Sequence, residues 1–383
     1  MKVADYIINY LSDIGIQDVF VVYGAANGDL IDAFTRNDKI RYIAVMHEQG
    51  GGFAAEGYSK VKDQIGVAIA TSGPGGMNFV TPIGNCYYDS VPCLFITGQV
   101  NPKYMRPDES IRQIGFQETD IISIVKPITK YAKMVMNADD IKYELQKAIH
   151  EATNGRPGPV LLDIPIPIQK QDIDTTKLIG YDDTANVSFN TEVINSQIDS
   201  YIKDLKNSKM PCLMIGGGVR LSGAVDELLE LGKVLKIPMF PTWNALDIVC
   251  SDYEYYGGRI GTYGGAGRNF GIQNSDLLLA IGSRISGRIT GGNIHSFARE
   301  AKKYMVDVDK AGLQRKLQQV PFDECIYSDA KLFINLLIEK LKNENLPYFG
   351  GWVGRVMDWK TKYDPVTDDM FEPRKYPHPY AFT

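Results

Sequence analysis

The sequence predicts an α/β protein made of two doubly wound, parallel-sheet domains, and three observations carry that prediction. Short apolar runs rich in branched residues alternate with longer amphipathic stretches, the pattern of strand–helix units. At 383 residues the chain exceeds one compact core and asks for two domains with extra segments. Glycine-rich turns follow several apolar runs and open helices, where free backbone N–H groups gather.

The elements follow in order. A helix is expected over Val3–Ile14, stopped by Gly15. Strands are expected at Val19–Val22, Tyr42–Met46, Val67–Ala70, Cys93–Thr97 and Val160–Ile164, with helices between them, which makes the sheet parallel. These place a first domain at 1–170. The polar stretch 171–191, poor in large apolar residues, reads as a linker. A second α/β unit over 192–342 has its strands near Cys212–Ile215, Met239–Pro241, Leu277–Ile281 and Tyr304–Val308. Beyond it, Trp352, Trp359, Pro365, Pro373, Pro377 and Pro379 lie among tyrosines with little periodicity, which predicts an extended connector over 343–383.

Composition narrows the partners. With 44% apolar and 23% charged residues the chain is ordinary for a globular protein, and a net charge of -5 offers no basic field for nucleic acid or an anionic membrane. Cys86, Cys93, Cys212, Cys250 and Cys325 form no CxxC pair and no metal-ligand spacing, as expected of reduced cysteines in a cytoplasmic protein. Asp5 and Asp13 on an amphipathic N-terminal pattern exclude a signal peptide, and no run of 18 apolar residues predicts a membrane span.

Two motifs bear chemistry. Met46-His47-Glu48-Gln49-Gly50-Gly51-Gly52 sets one carboxylate, Glu48, where a strand gives way to a helix. The glycines admit a close neighbour, and the helix start presents a positive dipole end. Val67–Ala70 then runs into Thr71-Ser72-Gly73-Pro74-Gly75-Gly76-Met77-Asn78, whose backbone N–H groups suit an anion or a polar ring. Either turn alone is more often structural; their order and spacing together are specific.

With Asp89-Ser90-Val91-Pro92, Ile96-Thr97-Gly98-Gln99, Phe116-Gln117-Glu118 and Gly155-Arg156-Pro157-Gly158-Pro159-Val160, these motifs resemble the thiamine diphosphate enzymes, and among them the acetohydroxyacid (acetolactate) synthases. The resemblance is dense over 1–170 and thinner to about residue 340. It implies a pyrimidine-binding first domain and a Rossmann-like middle domain. In that family a carboxylic acid bonds the distal nitrogen of the cofactor's aminopyrimidine ring and so promotes loss of the thiazolium proton; an apolar, partly dry pocket suits that exchange. The resemblance makes Glu48 this acid. It makes Gly24, Thr71, Ser72, Gly73, Pro74, Gly75 and Asn78 the cofactor's surroundings. Gln117 looks onto the reacting carbon, with Phe116 beside it, and Lys130 matches a basic residue near the substrate. Glu56 and Tyr58 read as packing or surface residues.

In the middle domain the same resemblance matches Arg288 to an arginine that selects a 2-oxoacid such as pyruvate, a carboxylate that guanidinium pairs with bidentately. It places a non-redox FAD at Gly216, Gly217, Gly218, Gly261 and Arg284. Two departures leave both FAD and acetolactate specificity open: Ser286-Gly287 stand where an acidic pair is expected, and Thr262-Tyr263 stand where Met-His is expected. Gly216-Gly217-Gly218 also invites a dinucleotide reading, but Leu221 occupies the place of the third glycine, and a plain strand–helix turn remains the rival.

The family holds Mg²⁺ and the diphosphate through a Gly-Asp-Gly motif, because a diphosphate is too highly charged to bury otherwise. The chain has no such motif; Asn27-Gly28-Asp29-Leu30 is the nearest match. The resemblance thus implies that the third, diphosphate-binding domain is missing, that metal ligands come from another chain or a homo-oligomeric partner, and that the isolated chain is inactive. A carboligase or decarboxylase component, a related 2-oxoacid decarboxylase, and a non-catalytic truncated or regulatory fragment all remain open.

Overall fold

The longest apolar runs become central strands. The computed structural model describes residues 1–182, 187–314 and 320–382, and the chain divides into two units, Met1–Val187 and Ser188–Thr383. The first holds β1 (Asp18–Val21), β2 (Arg41–Ala44), β3 (Gly66–Ala70), β4 (Cys93–Gln99), β5 (Tyr131–Met134) and β6 (Pro159–Pro165). They lie parallel in the order β2-β1-β3-β4-β6-β5. Strands β3, β4 and β6 are buried along their whole length, which is why they read as continuous apolar runs. Ile69, Ile96 and Leu162 stand side by side and feed one core; Ala68, Phe95 and Leu161 line the opposite face and feed another.

The helix Val3–Asp13 covers the first core with Val3, Ala4, Ile7, Ile8 and Leu11, an i, i+3/i+4 stripe. Gly15, at φ +91°, ends it. The helix Glu48–Lys62 contributes Ala55 to the other core. Its approach to the sheet is close: a Cβ on Gly66 would fall 2.0 Å from the Ala55 carbonyl oxygen, so β3 has to begin with glycine.

The second unit holds β7 (Pro211–Ile215), β8 (Met239–Pro241), β9 (Leu277–Ile281), β10 (Lys302–Asp307) and β11 (Glu324–Tyr327), parallel in the order β11-β10-β9-β7-β8. Two parallel-sheet α/β domains are therefore present, as the sequence predicts. Strands β5 and β11 fall outside its expectations. Both are four-residue sheet edges that carry a charge, Lys133 and Glu324, so their apolar signal is weak.

Two segments differ from expectation. Within the linker read over 171–191, residues 183–186 lie outside the described residues, while Ile173 and Leu178 are buried in the first unit's core and Ile173 N–H donates to the Met1 carbonyl. Their two apolar side chains are sufficient to dock a stretch that reads as polar. Within 343–383, expected to be extended, Gly350–Lys362 is a helix. It buries Trp352 and Val356 in the second unit, and Trp352 Nε1 donates to the Pro211 carbonyl at 3.0 Å. The three glycines in this stretch, Gly350, Gly351 and Gly354, mask its helical signal, while Trp352, Val356 and Trp359 share one helical face.

The strand order reverses between β1 and β3 in the first sheet, which reverses again at its β6-β5 edge, and between β7 and β9 in the second. At such points the loops leaving the carboxyl ends turn to opposite faces and open a crevice.

Candidate active site

The first crevice is built from the loops that leave β1, β2 and β3. After β1 the chain folds back on Asn27, a fully buried residue whose Nδ2 donates to the Val22 carbonyl at 2.9 Å and whose Oδ1 accepts from Gly24 N–H at 2.8 Å. Thr71 Oγ1, at the end of β3, accepts from Ala26 N–H at 3.1 Å. The two loops touch so closely that a Cβ on Gly24 would lie 2.5 Å from Thr71 Cβ.

Glu48 opens the 15-residue helix Glu48–Lys62, where the dipole favours a carboxylate. The preceding His47 caps the helix, its Nδ1 accepting from Gln49 N–H at 3.2 Å. The Glu48 side chain is half-buried, and its Oε2 accepts from Asn78 Nδ2 at 2.8 Å. Its other oxygen, Oε1, has no hydrogen-bond partner among the described residues and faces Gly75, whose ideal Cβ would stand 3.3 Å away and 2.8 Å from Thr71 Cγ2. Glycine at 75 therefore keeps the space beside the carboxylate clear. Ser72 is buried beneath this turn and its carbonyl accepts from Gly75 N–H, while Pro74 begins the short helix Pro74–Asn78.

Gln117 comes to the same place from a different loop. Its φ is +60°, and it packs against Gly73, itself at φ +61°; a Cβ on Gly73 would lie 2.7 Å from the Gln117 carbonyl oxygen. Glu118 shapes this loop by accepting from Arg106, Ile114 and Gly115 N–H. Partial burial raises the Glu118 carboxyl, but the three backbone donors outweigh it and hold the group below the usual carboxylate range. Phe116 is 85% exposed.

Glu48, Asn78, Gly24, the Thr71–Gly75 turn and Gln117 thus converge. Lys130 does not. It stands at the amino ends of β5 and β6, the edge opposite Glu48, where its backbone N–H donates to the Pro159 carbonyl and its Nζ to the Asn154 carbonyl at 2.7 Å. Burial lowers the affinity of this amine for its proton. Glu56 is a packing residue: buried, it accepts from Lys60 and, through both oxygens, from Asn85, tying Glu48–Lys62 to the helix Val80–Asp89. Sequence reasoning missed Asn27 and the buried Asp163. The signal for Asn27 was its place in a glycine-flanked turn immediately before a helix.

In the second unit, Gly216, Gly217, Gly218, Gly261, Arg284 and Arg288 lie in the loops and short helices that follow β7, β8 and β9. The glycines answer to the chain's own backbone. A Cβ on Gly216 would fall 2.0 Å from the Gly282 carbonyl oxygen, one on Gly217 3.0 Å from that of Asn244, and one on Gly218 2.8 Å from Gly282 Cα. Gly261, at φ +117°, leaves no room beside the Arg288 carbonyl. The Arg288 guanidinium is exposed and lies over the Tyr263 ring at 5.2 Å, Arg259 lies over Trp243 at 5.1 Å, and the two rings meet edge to face. Arg284 is exposed. Among the described residues, no group of three or more His, Cys, Asp or Glu could hold a metal ion, and no helix is long and apolar enough to cross a membrane.

Comparison with known proteins identifies this pair of sheets. Residues 1–124 match the family model of the thiamine pyrophosphate enzyme N-terminal TPP-binding domain, and residues 198–337 match that of the thiamine pyrophosphate enzyme central domain. The acetolactate synthase large subunit of Corynebacterium glutamicum is 36% identical, over 98% of this chain and 59% of that protein. The chloroplastic acetolactate synthase of Arabidopsis thaliana is 35% identical, over 94% and 53%. A probable acetolactate synthase large subunit of Methanocaldococcus jannaschii is 33% identical, over 98% and 62%. The chain thus spans little more than half the length of these relatives. With both domain models matched in the order of the two sheets, this chain belongs to the thiamine pyrophosphate enzyme family, of which it carries the N-terminal and central domains.

Proposed function

We propose that the chain is the pyrimidine-side component of a thiamine diphosphate-dependent 2-oxoacid carboligase, acetolactate synthase-like, completed by a further polypeptide that holds Mg²⁺ and the diphosphate. The observation that carries this is the Glu48 carboxylate: anchored through one oxygen by Asn78, and free on the other beside a glycine whose missing side chain leaves room for a ring. Thiamine diphosphate, when bound, supplies a nucleophilic carbon that adds to the carbonyl of a 2-oxoacid such as pyruvate. Glu48 Oε1 holds and moves a proton at the ring nitrogen. Asn78 fixes the direction of that oxygen. The Gly24 and Thr71–Gly75 backbones wall the ring, and Gln117, which packs against Gly73 with a left-handed backbone, faces the reacting carbon in this reading. The residues present fit the pyrimidine; among the described residues no acidic cluster fits the metal.

A second polypeptide is supported by exposure. Glu48 is only half-buried, and Met46, Tyr23 and Phe116, on the loops that form the crevice, are 101%, 72% and 85% exposed. Proton exchange through a carboxyl group needs a drier surrounding than this, and another copy of the family's fold, or a chain with the third domain, supplies it. In the second unit Arg288 remains the proposed 2-oxoacid contact. Its stacking on Tyr263 favours a related carboligase or decarboxylase with a different 2-oxoacid as the second reading, because Tyr263 stands where the synthases carry histidine. Lys130 is not retained as a substrate contact. The flavin expectation rests on the resemblance alone, since the glycines that suggested it are accounted for by close backbone packing.

The test is Glu48→Gln in the assembled enzyme, with exchange of the cofactor's C2 proton followed by NMR. Exchange should slow by roughly 10²–10⁴-fold, the range of general acid–base catalysis. An unchanged rate removes Glu48 from the mechanism. Acetolactate formation by the purified chain alone would overturn the need for a second polypeptide.

A further inference from the structure

Asp163 belongs to neither crevice loop, yet it lies beneath both. Its side chain is completely buried in the middle of β6, between donors from the neighbouring β4: Oδ1 accepts from Thr97 Oγ1 at 2.7 Å and Oδ2 from Gln99 Nε2 at 2.9 Å. Each donor leads to a different loop. Gln99 Nε2 also donates to the Thr119 carbonyl at 2.8 Å, and its Oε1 accepts from Val100 N–H at 2.9 Å, so one amide fastens both ends of the 100–119 segment that carries Phe116 and Gln117. The methyl group of Thr97 meets Gly76, where an ideal Cβ would stand 3.2 Å from Cγ2; Gly76 is in the helix Pro74–Asn78, which carries Gly75 and Asn78.

A buried carboxyl group without strong reason to be there is costly, and an aliphatic residue in its place would complete the apolar row of β6. We propose that Asp163 is a positioning residue: by orienting Thr97 and Gln99 it fixes the Gly73–Asn78 turn relative to the 100–119 loop, and thereby holds Asn78 and Gln117 at the spacing the crevice needs. The proposal rests on the cofactor reading only for what the two loops hold; the mechanical link is independent of it. Burial, with the Asp120 carboxylate adding to it, pushes the Asp163 carboxyl up to about 7 against the pull of the two donors.

Hydrogen exchange read by mass spectrometry on the full chain tests this, with three variants. Above about pH 7, where the Asp163 carboxyl is ionised and accepts from both groups, Asp163→Asn replaces one acceptor with an N–H, so it should speed exchange tenfold or more at Val100 and Ile121 and across residues 73–79. Gln99→Met should loosen only the 100–121 segment. Thr97→Val, which keeps the contact with Gly76 but loses the hydroxyl, should loosen only 73–79. In all three, the helices Val3–Asp13 and Ile141–Thr153 should exchange as in the wild type. Acceleration spread evenly over those helices and the two loops would show that Asp163 merely stabilises the unit, and no acceleration in either loop would show no link at all; both overturn the proposal. If Asp163→Asn does not fold, Gln99→Met and Thr97→Val carry the same comparison. No cofactor enters the measurement, so failure of the thiamine diphosphate reading leaves it intact, and its own failure leaves that reading standing.

Discussion

Replacing Gly73 by alanine strikes the point where the two loops of the crevice meet. Gly73 holds φ +61° and ψ -123°, a conformation an L-residue adopts only under strain, at a cost of about 1–3 kcal/mol. The new methyl group would also lie 2.7 Å from the Gln117 carbonyl oxygen and 2.8 Å from Gln117 Cβ, so neither contact can stand. Overpacking of this kind adds about 1–3 kcal/mol. Gly73 itself is tied down, its carbonyl accepting from Met77 N–H, so Gln117 is the side that yields and the clash is partly relieved. The expected loss is therefore near the lower end of the sum, about 2–3 kcal/mol, or roughly a 1 M fall in urea midpoint at a typical slope. Urea unfolding followed by far-ultraviolet circular dichroism measures it. Gln117→Gly removes one of the two clashing atoms and relaxes a left-handed residue, so the double variant should recover about 0.5–1 kcal/mol relative to additivity. If Gly73→Ala lies within about 0.5 kcal/mol of wild type and the pair is additive, the contact between the loops is not what holds them.

Other outcomes are expected elsewhere. Asn85→Leu leaves the buried Glu56 carboxylate with Lys60 alone and should cost about 1.5–3 kcal/mol in urea unfolding, as for a hydrogen bond to a charged group. Trp352→Ala should destabilise the second unit by about 3–5 kcal/mol, the range for truncating a buried tryptophan, whereas in an extended connector it would have no effect on unfolding. Asp163 gives a pH dependence. Its folded value of about 7 lies above the 3.8 of an unperturbed aspartate, so between those limits the folded chain binds the extra proton. The Asp163 contribution to stability is thus full below about pH 4, falls as pH rises, and is lost above about pH 7; its full span is about 4 kcal/mol. The difference in unfolding free energy between wild type and Asp163→Asn, measured from pH 4 to 8, should trace that fall, and a flat difference would remove Asp163 as the source. A visible absorption spectrum of the purified protein decides the flavin question directly.

Most of the scaffold was legible because buried parallel strands announce themselves. Val67–Ala70 and Cys93–Thr97 carry apolar side chains toward both faces, a pattern few other structures need. The place of Glu48 at the start of a helix was legible for a related reason: an apolar run gives way there to a carboxylate and three glycines, and the helix Glu48–Lys62 begins at that residue. Tyr131–Met134 was hidden because an edge strand buries little and tolerates Lys133. Gly350–Lys362 was hidden because glycine lowers helix propensity, and the burial of Trp352 and Val356 overrides that preference only once the second sheet exists to receive them. Lys130 shows a different limit. A residue's place in a motif says nothing about which end of a strand it occupies, and here the answer is the end away from Glu48.

Asp163 illustrates why the supporting shell of a site is harder to read than the site. In the run Pro159–Pro165 a lone aspartate looks like an exposed interruption of a strand, or like the end of one. Its meaning appears only when β4 and β6 pair, because that register sets Thr97 beside Asp163 and brings Gln99 within reach two residues on. Loops, by contrast, are read from local chemistry: glycine for close approach, asparagine for a turn. A site whose loops meet at Gly73 and Gln117 therefore depends on an interaction between residues more than sixty apart in sequence, and a local motif carries no trace of it.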